Sequence, residues 1–312
     1  MQQPDRQQIT TYLQGLQDQI CTALETADAL AGGQPGAAPP ATFREDHWQR
    51  PGGGGGRSRV LADGAVIEKG GVGFSAVEGE ASAATLRQLN LTEPADFYAT
   101  GVSIVIHPRN PRVPIIHMNV RYFELSTGTY WFGGGIDLTP HYVVADDARW
   151  FHEQLKAVCD QHNPAYYPRF KTWADDYFYI PHRQETRGVG GIFFDYLKED
   201  DSSSKADIFA FQRAVGESFA PIYTHFMQQN RDLPYTPREQ HWQGLRRGRY
   251  VEFNLAWDRG TKFGLETNGR TESILMSMPP QANWIYNYHP EPNSPEADTL
   301  ASLKKGIQWV DK

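Results

Sequence analysis

The sequence is poor in cysteine and has no long apolar run, and both deficits narrow its class. Only Cys21 and Cys159 occur among 312 residues, which excludes a zinc or iron–sulfur site built from cysteines and disfavours a disulfide framework. No run reaches the roughly 18 apolar residues that span a membrane. The opening MQQPDRQQIT does not place an apolar core after a basic region. We therefore expect a cytoplasmic protein with buried thiols.

Positive charge is also scarce, because 30 Lys and Arg face 37 Asp and Glu, for a net charge of −7. This balance argues against nucleic acid as the main partner, since duplex binding needs a basic field. Within the basic set, Arg outnumbers Lys by 21 to 9. The planar fork of arginine matches a carboxylate. Local capture of carboxylates is one interpretation of this excess, and codon usage is the other.

Several familiar motifs are missing as well. No GxGxxG opens a helix, no Gly-Lys-Ser/Thr follows the glycine run at 52–56, and no HExxH occurs. These absences disfavour a Rossmann-type cofactor site, a P-loop and a local metallohydrolase motif. The glycine run itself is interpreted as a flexible linker, with an anion-binding turn as the alternative. The sequence shows no repeat and no central linker, so we expect one domain spanning residues 1–312.

The most informative stretch that is present is GVSIVIHPRNPRVPIIHMNVRYF, in which two apolar runs flank a Pro-rich turn. His117, Asn119 and Arg121 fall on alternate positions and would share one face of a strand, with apolar residues on the other face. A core strand has no structural need for this polar row, which we therefore interpret as a site. If the hairpin pairs odd positions with odd positions, two more polar residues join that face, namely Ser103 and His107.

Apolar spacing predicts helices over 7–30, from Asp146 or Asp147 to 162, and over 206–230. In the second of these helices His152 lies at the edge of the apolar stripe, where it is either a boundary residue or a ligand. Strands are predicted for 101–123 as a hairpin and for 127–139, where glycines interrupt the pattern. Further strands at 249–257, 262–267 and 272–278 predict an antiparallel meander.

One carboxylate stands out within the strand at 127–139. Asp137 lies between Ile136 and Leu138. A carboxylate surrounded by apolar residues needs a partner or a chemical task, because burying an unpaired charge is costly. We therefore treat Asp137 as a candidate site residue.

Four motifs together resemble the oxygen-dependent coproporphyrinogen III oxidase family: SIVIHPRNPRVPIIHMNVRYF, WFGGGIDLTP, WADDYFYIPHRQETRGVGGIFFDYL and GRYVEFNLAWDRGTKFGLETNGRTESILMSMPP. The earlier FREDHWQRPGGGGGRSRV belongs to the same resemblance, which runs from about residue 6 to the C-terminus. The resemblance implies an α+β fold with a large, flat antiparallel sheet flanked by helices on both sides. It also implies a homodimer formed through roughly 250–285.

The same resemblance implies a reaction in haem synthesis. Two propionates of coproporphyrinogen III are oxidatively decarboxylated to vinyl groups, which gives protoporphyrinogen IX and two carbon dioxide molecules. Dioxygen is the co-substrate and no organic cofactor is needed. A bound divalent metal, often given as manganese, is an unsettled feature of the family. A non-catalytic tetrapyrrole carrier on the same fold is the alternative, but it would not need His117 and Asp137.

The resemblance also assigns roles to individual positions. His117 matches the proton donor and Asp137 an aspartate that engages pyrrole N–H groups, while the chemistry of arginine makes Arg121 and Arg270 candidate anchors for substrate carboxylates. Many relatives have a small residue where this chain has Asn268. The positions matching substrate-binding residues are Ser103, Asn119, Val120, Arg121, Asn268, Gly269 and Arg270. The positions matching possible metal ligands are His107, His117, His152 and His182.

Overall fold

Antiparallel pairing of long strands forms the centre of the molecule. The structure, a computed structural model, describes residues 3–30, 41–81, 86, 93–200, 202–266 and 269–310. Its strands are β1 (Arg44–Gln49), β2 (Gly54–Ala62), β3 (Ile67–Glu80), β4 (Asp96–Pro108), β5 (Ile115–Leu125), β6 (Tyr130–Thr139), β7 (Tyr179–Ile180), β8 (Glu185–Thr186) and β9 (Gly191–Leu197).

Seven of these strands form one sheet in the order β1-β2-β3-β4-β5-β6-β9, while β7 and β8 pair separately. Every neighbouring pair in the large sheet is antiparallel. Strands β1 to β6 are consecutive in sequence, as short connections between antiparallel neighbours allow. This sheet confirms the predicted α+β class and the predicted hairpin at 101–123.

The described helices are α1 (Arg6–Ala29), α2 (Ala145–Asp160), α3 (Tyr166–Tyr177), α4 (Lys205–Asn230), α5 (Pro237–Ala256), α6 (Arg259–Glu266), α7 (Thr271–Leu275) and α8 (Pro295–Ser302). None of the helices in the described ranges is long and apolar enough to cross a membrane. Helices α1, α4 and α5 each begin with a reciprocal capping box, in which the capping side chain and the residue three positions on satisfy each other's backbone N–H.

The two faces of the sheet are covered by different helices. Even-numbered strand residues such as Ile104, Met118 and Ile136 are fully buried in the main core with apolar residues of α1, α2 and α4. On the opposite face, Tyr250 of α5 packs against Val105 and Ile115. The prediction of helices on both sides of the sheet is therefore confirmed.

The predicted meander at 249–278 is wrong, because this region forms α5, α6 and α7. The alternation of residues 249–257 is real, but these residues form the last turns of a helix that begins at the Thr236 cap. Pro at the first helical position and Glu239 at the third are the start signals that should have outweighed the short alternation.

Two smaller predictions also need correction. The glycines at 52–56 are not a linker, since Gly54 begins β2 and pairs with Val77 of β3. The predicted caps of α2 are also wrong, because Asp146 and Asp147 lie inside its first turn and Val144 precedes it without a side-chain cap. Acidic residues in a first helical turn still interact favourably with the helix dipole.

Candidate active site

The register of three central strands brings the predicted polar row together. Ser103 of β4 lies opposite Asn119 of β5, and Gly101 lies opposite Arg121. On the other side of β5, His117 lies opposite Asp137 of β6. Directly opposed residues in an antiparallel pair share one face. The predicted pairing of odd positions with odd positions is therefore confirmed.

Glycines make this face shallow. A Cβ atom at Gly133 would lie 2.8 Å from Nε of Arg121, and one at Gly73 would lie 2.7 Å from Cε of Met276. Ser103 is exposed although it lies in the middle of a central strand. The face is therefore open at Ser103, whereas Met276 lies over Gly71 and Gly73 and the Arg121 and Asp195 side chains lie over Gly133. We call this surface the glycine floor, which consists of Gly71, Gly73, Gly101, Gly133 and Gly135.

His117, Asp137 and Arg187 form a chain of charged contacts beside the floor. Nδ1 of His117 lies 2.7 Å from Oδ1 of Asp137, and Nη2 of Arg187 donates to Oδ2 at 2.5 Å. The Arg187 guanidinium is enclosed by the rings of Phe178 and Tyr250, at 4.4 and 4.7 Å from their centroids. Because Nδ1 is held by Asp137, Nε2 of His117 is the nitrogen left for proton exchange.

Asp137 stays ionised in this environment. It is 2% exposed, and burial by itself disfavours its charged form. The nearby Arg187 and His117 outweigh that cost and hold the pKa of Asp137 below its ordinary value. An anionic Asp137 orients the imidazole of His117 through the contact with Nδ1.

Arg121 is held on the opposite side of the floor. Its Nη2 lies 2.8 Å from Oδ2 of Asp195, a residue of β9, and its Nη1 donates to Oδ1 of Asn119 at 3.2 Å. The Arg121 side chain is 40% exposed, so it can reach a ligand above the sheet. One step further along the strands the face becomes aromatic, where Phe123 and Trp131 stack at 4.3 Å between ring centroids.

The second predicted substrate-binding triplet is only partly described, because Asn268 lies outside the described residues. Gly269 and Arg270 immediately precede α7, and Arg270 donates to Asp46 of β1 and, at 3.0 Å, to Ser273. Four strand spacings separate β1 from β5, or about 19 Å at roughly 4.8 Å each. Arg270 therefore lies toward one edge of the sheet and Arg121 toward the other, with the glycine floor between them.

Val120 differs from its neighbours in the first triplet. Its side chain is fully buried in the main core, as an even position on β5 requires. Any contact of its side chain is therefore with the core and not with a ligand on the glycine floor.

Three of the four histidines predicted as metal ligands are used elsewhere. Nε2 of His107 lies 2.8 Å from the Ser277 carbonyl, and burial lowers the pKa of His107 well below its ordinary value. His152 is buried among core residues, and its two nitrogens contact the Tyr167 hydroxyl and the Val189 carbonyl. Burial also lowers the pKa of His152 to about 4.

His182 belongs to a different cluster at the surface. Its Nε2 lies 2.9 Å from Oε2 of Glu252, and its Nδ1 accepts from the Trp257 indole at 3.0 Å. In the part of the chain that the structure describes, no group of three or more His, Cys, Asp or Glu could hold a metal ion. The arrangement of these side chains does not fit a shared metal centre.

Two residues of the site were missed in the sequence. Arg187 is the buried partner of Asp137, and Asp195 is the partner of Arg121. Asp195 carries the same signal that singled out Asp137, since it is a carboxylate among large apolar residues in a strand, in the run IFFDYL. For Arg187 the only available signal was its place in a charged loop that leads into β9.

The family model described as Coproporphyrinogen III oxidase matches residues 8–309 of the 312. The matched range contains every strand of the large sheet and all the candidate site residues named above.

Proposed function

The chain belongs to the coproporphyrinogen III oxidase family, and on this premise we propose that it is an oxygen-dependent enzyme of haem synthesis. It decarboxylates two propionates of coproporphyrinogen III to vinyl groups and releases protoporphyrinogen IX and two carbon dioxide molecules. The observation that carries this proposal is the opening of the glycine floor at Ser103, between Arg121 and the His117–Asp137 pair. A broad macrocycle can lie against backbone there, while its carboxylates reach cations at the sides.

The acid groups of the substrate are bound by arginine. Arg121 and Arg270 each present a guanidinium that can fork onto a carboxylate. Both are partly exposed, with 40% and 30% of their side chains accessible. The wide separation of the two cations suits a ligand that carries several carboxylates around a large ring. Ser103, Asn119 and Gly269 complete the proposed substrate contacts.

His117 supplies protons to the reaction. For each propionate the β-carbon loses one proton and two electrons, and the bond to the carboxyl carbon breaks. The electron pair of that bond forms the vinyl double bond as carbon dioxide leaves. Two propionates give four electrons, which reduce one dioxygen to two waters and consume four protons. The substrate provides two of these protons, and His117 is positioned to deliver the others.

Asp137 has two proposed roles. It orients His117 through Nδ1, and a remaining lone pair accepts from a pyrrole N–H of the substrate. The first role rests on the 2.7 Å contact. The second must share an oxygen that His117 or Arg187 already uses, so it needs the macrocycle to approach closely.

For His107, His152 and His182 we propose hydrogen-bonding roles in place of metal ligation, in line with their separate partners. Elemental analysis of chelator-treated enzyme tests this. We expect full turnover without bound manganese or another divalent metal. Loss of activity that returns when one metal per chain is restored would contradict the proposal.

We also propose a homodimer formed through residues 250–285. Several large apolar side chains in this segment are between 42% and 52% exposed. Apolar side chains that are exposed together, unlike single scattered ones, indicate an interaction surface. Sedimentation equilibrium checks this, and a monomer at assay concentration would contradict it. The apolar residues concerned are Leu255, Trp257, Phe263, Leu265, Trp284 and Ile285.

The compartment we propose is the cytoplasm, as the low cysteine content indicates.

An assay with and without oxygen tests the central proposal. The enzyme is incubated with coproporphyrinogen in air and in an anaerobic chamber, and the vinyl product is followed by fluorescence after oxidation. We expect product only in air. Product without oxygen would refute the oxidase, whereas tight binding without turnover in either condition would support the carrier.

A further inference from the structure

Asp195 lies at an irregular point of strand β9. The pairing of β6 with β9 shifts register between Phe132 and Gly134. Tyr196, the next residue, has a left-handed backbone with φ of 51°. Such a bulge re-aims a side chain. Here the result is that the Asp195 carboxylate lies against Arg121, with Oδ2 at 2.8 Å from Nη2.

The sheet leaves room for this pair at one position. A Cβ atom at Gly133 would lie 2.6 Å from Oδ1 of Asp195 and 2.8 Å from Nε of Arg121. Any larger residue there would displace one partner. Glycine at this position and the bulge beside it therefore both serve the contact between Arg121 and Asp195.

The pair lies at the boundary of the open face and is not sealed in the core. Arg121 is 40% exposed and Asp195 is 20% exposed. The other arginine terminus, Nη1, donates to Asn119. A ligand carboxylate that forks onto Arg121 must therefore share or replace the contact of Nη2 with Asp195, because two carboxylates at one guanidinium repel each other.

We propose that Asp195 is a positioning residue that acts through Arg121, as a resident anion that exchanges with the carboxylate of the substrate. The Asp195 carboxylate releases Arg121 when a substrate propionate binds. It pairs with Arg121 again when that propionate is lost as carbon dioxide. This inference rests on the proposed function. Its consequence is that Arg121 is not left as an unpaired cation beneath a vinyl group.

A competing anion has opposite effects on binding and on turnover. It weakens the ground-state contact between Arg121 and the substrate carboxylate. It also stabilises Arg121 in the state in which that carboxylate is being lost. Only an interaction that is stronger in the transition state than in the ground state raises kcat. Asp195 should therefore raise both KM and kcat.

The test is Asp195→Asn, which removes the charge and keeps the shape. We expect KM for coproporphyrinogen to fall about tenfold, equivalent to about 1.4 kcal/mol, and kcat to fall by a similar factor. Asp195→Glu should restore most of kcat. Asp146→Asn is the matched control, since Asp146 pairs with Arg149 at 2.8 Å on the exposed surface. It should change neither constant.

Equilibrium binding provides a second measurement that does not depend on turnover. Coproporphyrin III has four carboxylates and protoporphyrin IX has two, so Asp195→Asn should tighten the first more than the second. A higher KM with unchanged kcat would overturn the inference, as would equal effects on both porphyrins. If the wild-type protein neither binds coproporphyrin nor turns over its reduced form, the proposed function fails. If it does both and Asp195→Asn changes nothing, only this inference fails.

Discussion

The two faces of strands β4, β5 and β6 follow opposite rules. The core face is built mainly from large, apolar, buried residues, as Ile104, Met118 and Ile136 show. On the site face glycines lie among partly exposed polar residues such as Asn119 and Arg121, together with buried polar residues such as Asp137 and His107. Because strand residues alternate between faces, of two adjacent residues one packs in the core and the other lies on the site face. A residue that stabilises the fold and a residue of the candidate site are therefore adjacent in sequence.

The largest effect expected from this separation is at His117. Replacing His117 with Ala removes the proposed proton donor, so we expect kcat to fall about 10²- to 10⁴-fold, the usual contribution of a general acid or base. The folded structure should persist, because Asp137 keeps its ion pair with Arg187 when His117 is truncated. Steady-state turnover of coproporphyrinogen and thermal unfolding are the two measurements.

The control for His117→Ala is a conservative change at the same position. His117→Gln keeps a hydrogen bond to Asp137 but cannot exchange protons at neutral pH, so it should be as inactive as the alanine variant. Wild-type turnover in either variant would contradict the proton-donor role. A loss of substrate affinity with unchanged kcat would instead indicate that His117 only binds the ring.

The neighbouring residue gives the opposite result. Met118 is fully buried, so Met118→Ala leaves a cavity in the core and should cost about 2–5 kcal/mol of unfolding free energy. At a temperature where the variant is folded, kcat should stay within about twofold of wild type, because the Met118 side chain lies on the core face and not on the site face. A twofold change corresponds to well below 1 kcal/mol of activation free energy. Urea unfolding and turnover per folded molecule check this, and a loss of kcat comparable to that of His117→Ala would break the separation of the faces.

The same alternation explains what could be predicted from the sequence. Apolar residues on one parity, with His117, Asn119 and Arg121 on the other, predicted the polar row on β5 but left the register of the hairpin as a condition. Pairing of odd with odd positions then placed Ser103 correctly. Asp137 was found because an isolated carboxylate between apolar residues is costly without a partner.

The prediction of strands from alternating apolar residues was wrong where a helix shows the same alternation. The strand predicted at 249–257 lies in the last turns of α5 and its C-cap Trp257, and its pattern is too short to distinguish a strand from a helix. The partners Arg187 and Asp195 could not be placed either. Arg187 reaches Asp137 through the pairing of β7 with β8, and Asp195 reaches Arg121 through a bulge. Both depend on contacts between distant segments, which no local pattern encodes.

The covers of the two faces differ as well, and this leads to the smallest expected effect. The core face is covered by apolar residues of α1 and α4. Helix α5, which covers the site face, is held by the packing of Tyr250 and by several charged contacts, of which those of Glu252 form one group. This carboxylate accepts from Nη2 of Arg183 at 2.7 Å, and it also contacts His182 and the Trp284 indole at 2.9 Å.

Acid should therefore loosen the site-face cover first. Burial opposes the charge of Glu252, but its contacts with Arg183 and His182 outweigh burial and lower its pKa from 4.5 to about 2. Because folding lowers this pKa, the stabilisation is fully present above about pH 4.5 and is lost as the pH falls toward 2. Glu252→Gln should be less stable than wild type at pH 7 and converge with it near pH 2.

Urea unfolding at intervals between pH 7 and pH 2.5, with hydrogen exchange of α5 and α1 at each pH, measures this convergence. Glu217→Gln is the matched control, because Glu217 makes an exposed pair with Arg213 at 3.5 Å. Its stability curve should run parallel to that of wild type. If α1 loses protection before α5 in acid, or if Glu252→Gln keeps a constant offset, charge does not distinguish the two covers. If the two stability curves converge in acid and α5 loses protection before α1, the site face, unlike the core face, is covered by contacts that protonation weakens.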